Sequence, residues 1–172
     1  LLARSHARGR EIAVRAATAA INAGDAAAAL RLAPLSDAHG DSALAARSYL
    51  PLTVRALSAL GRPAEAERLV NGFDRFLAPG ARNSLTRTIA WGWVRTGDMA
   101  RARAALAATG AEGDSSDAAG WLALYEGNLK SARSLLRGGT ESSPELALAL
   151  GLAARLKTDT AVAVGKAFLA LA

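Results

Sequence analysis

The chain has 172 residues, no cysteine and a net charge of +6, and alanine and leucine dominate an apolar fraction of 51%. That mixture favours helix over strand. The absence of cysteine excludes disulfide frameworks and thiolate metal sites and fits a reducing cytosol and an oxidising periplasm equally, so the compartment stays open.

No uncharged apolar run reaches the roughly 18 residues that a membrane-spanning helix needs. Lys130, Lys157 and Lys166 are the only lysines, and the arginines are scattered along the chain. Without a basic run, nucleic acid is a disfavoured partner. The chain opens Leu1-Leu2-Ala3 and closes at Ala172 inside an apolar stretch with no cap after it, which leads to the expectation that it is a fragment of a longer polypeptide.

One local phrase recurs along the chain: Gly24-Asp25 followed by Ala29, Gly61-Arg62 by Ala66, Gly97-Asp98 by Ala102, and Gly127-Asn128 by Ala132. A fifth copy, Thr158-Asp159 followed by Ala163, keeps the spacing and lacks the glycine. Each copy reads as helix, tight turn, helix. The glycine ends the first helix in a left-handed conformation, and the next polar residue caps the second. Asp25, Asp98, Asn128 and Asp159 are good caps, whereas the second copy offers Arg62-Pro63, with proline suited to a first helical turn.

Clusters of chain breakers separate the copies: Pro34 to Ser42, Ala78-Pro79-Gly80, Gly110 to Ser116, and Gly138 to Pro144. Helix starts are expected at Asn83-Ser84, Ser115-Ser116 and Ser143-Pro144-Glu145. The reading is an all-α chain of about five antiparallel helix hairpins, near residues 9–33, 43–77, 83–109, 115–137 and 143–172, forming a single domain over 1–172. Short amphipathic hairpins cannot bury their apolar faces alone, so stacking into an α-solenoid is expected.

The chain resembles the tetratricopeptide repeat, whose period is about 34 residues. Seven residues before each turn a small-residue slot holds Ala17, Val54, Ala90, Gly120 and Gly151, preceded by Ile89 and Leu150 in two copies. Trp93 fills the aromatic slot of the third copy, and the closing proline is met by Pro144 and, one residue late, by Pro79. The other aromatic slots hold Ala20, Leu57, Ala123 and Ala154. The repeats are thus degenerate, and related helical-hairpin families share what remains of the pattern.

The resemblance implies a right-handed superhelix whose first helices line a concave groove holding a peptide or partner helix. The position six before each turn would face that groove: Thr18, Arg55, Trp91, Trp121 and Leu152. Positions ten and three before the turn would flank it, giving Arg87 and Val94, Asp117 and Leu124, and Leu148 and Arg155. Tryptophan is enriched at binding hot spots and equally common in cores. Trp93, two residues from Trp91, must face elsewhere and is assigned to the core, and Trp121 with Tyr125 forms a same-face pair. Arg55 and Arg87 offer guanidinium groups for a partner carboxylate.

Nothing in the sequence points to catalysis. His6 and His39 lack partners, His39 with Asp37 and Asp41 is a weak metal set, and Gly165-Lys166 lacks the upstream glycine of a phosphate loop. No enzyme activity, cofactor, metal or small-molecule substrate is therefore expected. The favoured function is a protein-binding scaffold. A superhelical region of a larger envelope, export, regulatory or enzymatic protein is the alternative, and a helical-repeat nucleic-acid binder is third. Open repeat ends lead to an expectation of self-association.

Overall fold

The computed structural model describes residues 2–35, 41–110 and 117–136, and all the regular structure in them is helical. The fifth hairpin, with Leu148, Leu152, Arg155 and Asp159, lies outside the described residues, as do Asp37 and His39. The chain divides into two compact units, the first ending at Ile89 and the second beginning at Ala90.

In the first unit, α1 (Leu2–Asn22) pairs with α2 (Ala26–Leu32), and α4 (Leu50–Ala59) pairs with α5 (Pro63–Gly72). Leading into α4 are the single turn α3 (Ser42–Leu44) and a π-helical turn, Ala45–Tyr49. The long helix α6 (Pro79–Arg95) follows a 3-10 turn at Asp74–Phe76. In the second unit α7 (Met99–Ala108), α8 (Asp117–Tyr125) and α9 (Leu129–Leu136) succeed it, with α8 packed on α9.

The recurring phrase adopts one geometry four times. Gly24, Gly61, Gly97 and Gly127 have φ of 86°, 71°, 81° and 78°, the left-handed region in which a Cβ is costly. The residue after each glycine donates its N–H to the carbonyl five residues back: Asp25 to Ala20 (2.9 Å), Arg62 to Leu57 (2.8 Å), Asp98 to Trp93 (3.0 Å) and Asn128 to Ala123 (2.8 Å). Each glycine N–H reaches the carbonyl three back, at Ile21, Ser58, Val94 and Leu124. This pair of bonds is the Schellman closure, which satisfies carbonyls that a helix end leaves without partners.

The same residue then starts the next helix. Asp25 Oδ1 accepts from the Ala28 N–H (2.7 Å), Asp98 Oδ1 from Arg101 (3.0 Å) and Asn128 Oδ1 from Ser131 (3.1 Å). Arg62 has no such acceptor. Its guanidinium instead forks onto Glu65 through two bonds of 2.7 Å, and this hydrogen bond holds the Glu65 carboxyl below its ordinary range.

The small residues of the phrase are core. Ala29, Ala66, Ala102 and Ala132 are buried, as are Ala17, Val54, Ala90 and Gly120 seven residues before the turns. Much of the first unit's core is alanine, with Ala17, Ala26, Ala29, Ala33, Ala45 and Ala56 in one cluster beside Ile21 and Tyr49. Such side chains let helix axes approach to the short end of the usual range, about 8 Å. They bury little area each, so Tyr49, Leu50 and Val54, all fully enclosed, carry more of the hydrophobic stabilisation.

Two local features differ from expectation. α6 begins at Pro79, not at Asn83-Ser84, because proline's fixed φ suits the first turn and the Arg82 N–H already bonds the Ala78 carbonyl (3.0 Å). An ion pair from Arg82 to Asp74 ties that first turn back to the preceding segment. The π-helical turn at Ala45–Tyr49 was not expected either. Pro51 lacks an N–H and its ring crowds the carbonyl four residues back, and the wider turn, in which Leu50 N–H bonds the Ala45 carbonyl, relieves that conflict.

Comparing the copies exposes one weak point. Three residues before the turn stand Ile21, Ser58, Val94 and Leu124, all buried, and the Ser58 hydroxyl has no hydrogen-bond partner among the described residues. Ser58→Ala should raise stability by about 1 kcal/mol in denaturant unfolding, since an unpaired buried hydroxyl costs about 1–3 kcal/mol; a loss would show that the hydroxyl is paired. Gly97→Ala should lower stability by about 1 kcal/mol through backbone strain alone, because beyond its chain neighbours no atom of the described residues lies within 4 Å of an added Cβ there. An unchanged midpoint would mean that the turn relaxes out of the left-handed region.

Candidate functional site

Helical spacing decides which of the groove candidates share a face. Residues four apart on a helix lie above one another, so the position three before each turn falls on the face of the buried small-residue slot seven before it. Val94 and Leu124 accordingly sit in the core and offer no flank to a groove. Positions six and ten before the turn form a different stripe, pairing Arg87 with Trp91 and Asp117 with Trp121.

Along that stripe exposure differs from copy to copy. Thr18 is half-buried and its Oγ1 donates to the Val14 carbonyl (2.8 Å), a bond that keeps the hydroxyl satisfied within its own helix. Arg55 is exposed on α4, and Arg87 is half-buried on α6. Trp91 is half-buried, whereas Trp121 is only 3% exposed. Asp117 begins the described part of α8, with its side chain outside the described set, as is that of Tyr125.

The two tryptophans at equivalent repeat positions meet. Their ring centroids are 6.4 Å apart with planes inclined by 26°, an offset stack of the kind aromatic quadrupoles favour. Trp121 is the inner member, and its indole N–H is buried without a hydrogen-bond partner among the described residues. Trp91 is the outer member, with the Arg95 guanidinium 5.9 Å from its ring. Trp93 points elsewhere and is buried, covered by the Arg101 guanidinium at 4.6 Å. The second unit thus holds a cation–tryptophan–tryptophan layer whose outer edge reaches solvent.

This layer can present the edge of one firmly held indole ring together with a charge. Arg103, on α7, bonds Glu126 at the end of α8 (Nε to Oε1, 3.1 Å), an exposed ion pair that adds little stability but fixes the edge of the unit. The spacing of the sequence showed that Trp91 and Trp121 occupy equivalent positions. It carried no sign that one ring would lie beneath the other, because stacking depends on how α6 and α8 are placed.

Removing the inner ring should cost far more than removing the outer one. Trp121→Ala is expected to destabilise by about 3–5 kcal/mol and Trp91→Ala by less than half of that. A double-mutant cycle should give a coupling of about 0.5–1.5 kcal/mol. Equal costs with no coupling in thermal unfolding would contradict the stacked arrangement.

Comparison of the chain with protein-family models, with curated proteins and with solved structures gave no match.

Proposed function

We propose that the chain is a tetratricopeptide-like α-solenoid that binds a protein partner, peptide or helix, on the face formed by its first helices, and that it performs no chemistry. The observation that carries the reading is the fourfold recurrence of one unit: helix, left-handed glycine, a residue whose N–H closes that helix, and a buried alanine five residues after the glycine, with the closing residue also capping the next helix in three copies. Units of this size bury their faces by stacking, and the stacked first helices then leave a continuous surface. Arg55 and Trp91 are the accessible candidates at the position six before the turn, which Leu152 continues in sequence; Arg87 on α6 and Asp117 on α8 hold the position ten before it. Trp121 supports Trp91 from beneath, so its contribution to a partner is to hold the outer ring in place.

Trp91 provides the hot spot, since a half-buried tryptophan backed by a second ring loses little entropy when a partner covers it. Arg55 provides charge for a partner carboxylate. Self-association through open repeat ends belongs to the same reading, as does a place within a larger envelope, export or regulatory protein.

The test is affinity capture from native extract with an Arg55→Glu/Trp91→Ala double variant beside the parent chain, matched in helicity by circular dichroism. A protein retained by the parent and lost roughly tenfold or more from the variant is the expected result, the size following from loss of one hot spot. The same proteins on both would remove this face from consideration. Retention of nucleic acid that falls steeply with salt would favour a polyanion binder instead.

A further inference from the structure

The first unit carries a cavity that the repeat pattern does not call for. Its volume is about 280 Å³, and Arg10, Glu11, Val14, Leu44, Ser48 and Tyr49 line it. It arises from unequal helix lengths. α1 has 21 residues and α2 has 7, so α2 covers only the last turns of α1, around Ala17 and Ile21. The preceding turns flank α3 and the π-helical turn instead.

Three independent observations converge there. First, Arg10, Val14, Ala17 and Ile21 follow helical spacing, so a cation occupies the continuation of the core-facing stripe, where an apolar residue would extend the packing. Second, Arg10 has no ion-pair partner among the described residues, while the neighbouring Glu11 is engaged by Arg15 at 2.6 Å. Third, the opposite wall is the π-helical turn, which contributes Ser48 and the buried Tyr49; such turns are rare and recur at binding sites.

We propose that this cavity binds an aliphatic carboxylate. The hydrocarbon portion would lie against Val14, Leu44 and the Tyr49 ring. The carboxylate would sit on the Arg10 guanidinium as a charge-assisted pair, with the Ser48 hydroxyl as a second donor. The site is partly open to solvent and has room for a short aliphatic chain such as hexanoate. Two sources share this chemistry: a free short-chain fatty acid, and the C-terminal residue of a protein that ends in leucine, isoleucine or valine. The proposal stands apart from the face assigned to Arg55 and Trp91.

The test is a heteronuclear NMR titration of the full chain with hexanoate, hexanamide and short acetylated peptides ending in leucine, as free acid and as amide. Hexanoate should shift amides within residues 10–14 and 44–49 and saturate with a dissociation constant of about 0.1–1 mM, as expected for a ligand of this size. Arg10→Gln, which keeps a good helix former at a partly exposed position, should weaken hexanoate by tenfold or more and leave hexanamide unchanged. Ser48→Ala should weaken hexanoate a few-fold. A free-acid peptide binding more tightly than hexanoate identifies a protein C-terminus as the source, and the reverse order identifies the free acid. No saturable shift at 10 mM, shifts spread outside these segments, or equal binding by the parent and Arg10→Gln would each overturn the proposal.

Discussion

The left-handed glycine between two antiparallel helices is the constraint on which the rest of this structure depends. A helix end leaves carbonyls without partners and a helix start leaves amides without partners, and both must be satisfied within a turn of two residues. Glycine supplies the one backbone conformation that folds the chain back sharply, and the residue after it closes the first helix with its N–H. In three copies the same residue opens the second helix with its side-chain oxygen. With the turn so short, small residues lie on the facing surfaces of the two helices, and Ala17, Val54, Ala90 and Gly120 are all buried.

The alanine-rich interior follows from that close approach and limits how firmly each hairpin can hold. An alanine contributes one methyl group to the core, so the larger side chains determine how far each unit coheres. In the first unit these are Tyr49, Leu50 and Val54, gathered on the segment that contains the π-helical turn. In the second, Trp93, Trp121 and Leu124 fill the core, with Arg101 over the Trp93 ring and Arg95 over the ring of Trp91.

The tryptophan layer shows how one residue type serves packing and recognition together. The inner ring gives up its exposure and leaves an N–H without a partner among the described residues, a cost that the stacking and the buried area offset. The outer ring is thereby fixed in orientation while keeping one edge in solvent. A fixed aromatic edge beside a guanidinium is a better contact than a mobile one, since less freedom remains to be lost on binding. The cavity beside Arg10 has a different origin. It is the space left where a long helix outruns its short partner.

The sequence by itself determined the helical class, the four turns, the cap residues at Asp25, Asp98 and Asn128 and the buried alanines after them. These are set by interactions among residues close in the chain: φ preference at glycine, side-chain oxygens within reach of the next amides, and helical spacing of apolar residues. Trp93 was assignable to the core for the same reason, lying two residues from Trp91. Only the tertiary structure decided that Trp121 lies beneath Trp91, that Ser58 is buried in an otherwise apolar slot with no partner among the described residues, that α1 outruns α2 and that Arg10 overlooks a cavity. Each of these depends on which helices lie side by side and how far each extends, and side-chain pairing across helices leaves no periodic mark in a single chain. The π-helical turn falls between the two. Pro51 announces a missing donor, but whether the chain answers with a kink, a break or a wider turn depends on what Tyr49 and Leu50 find to pack against.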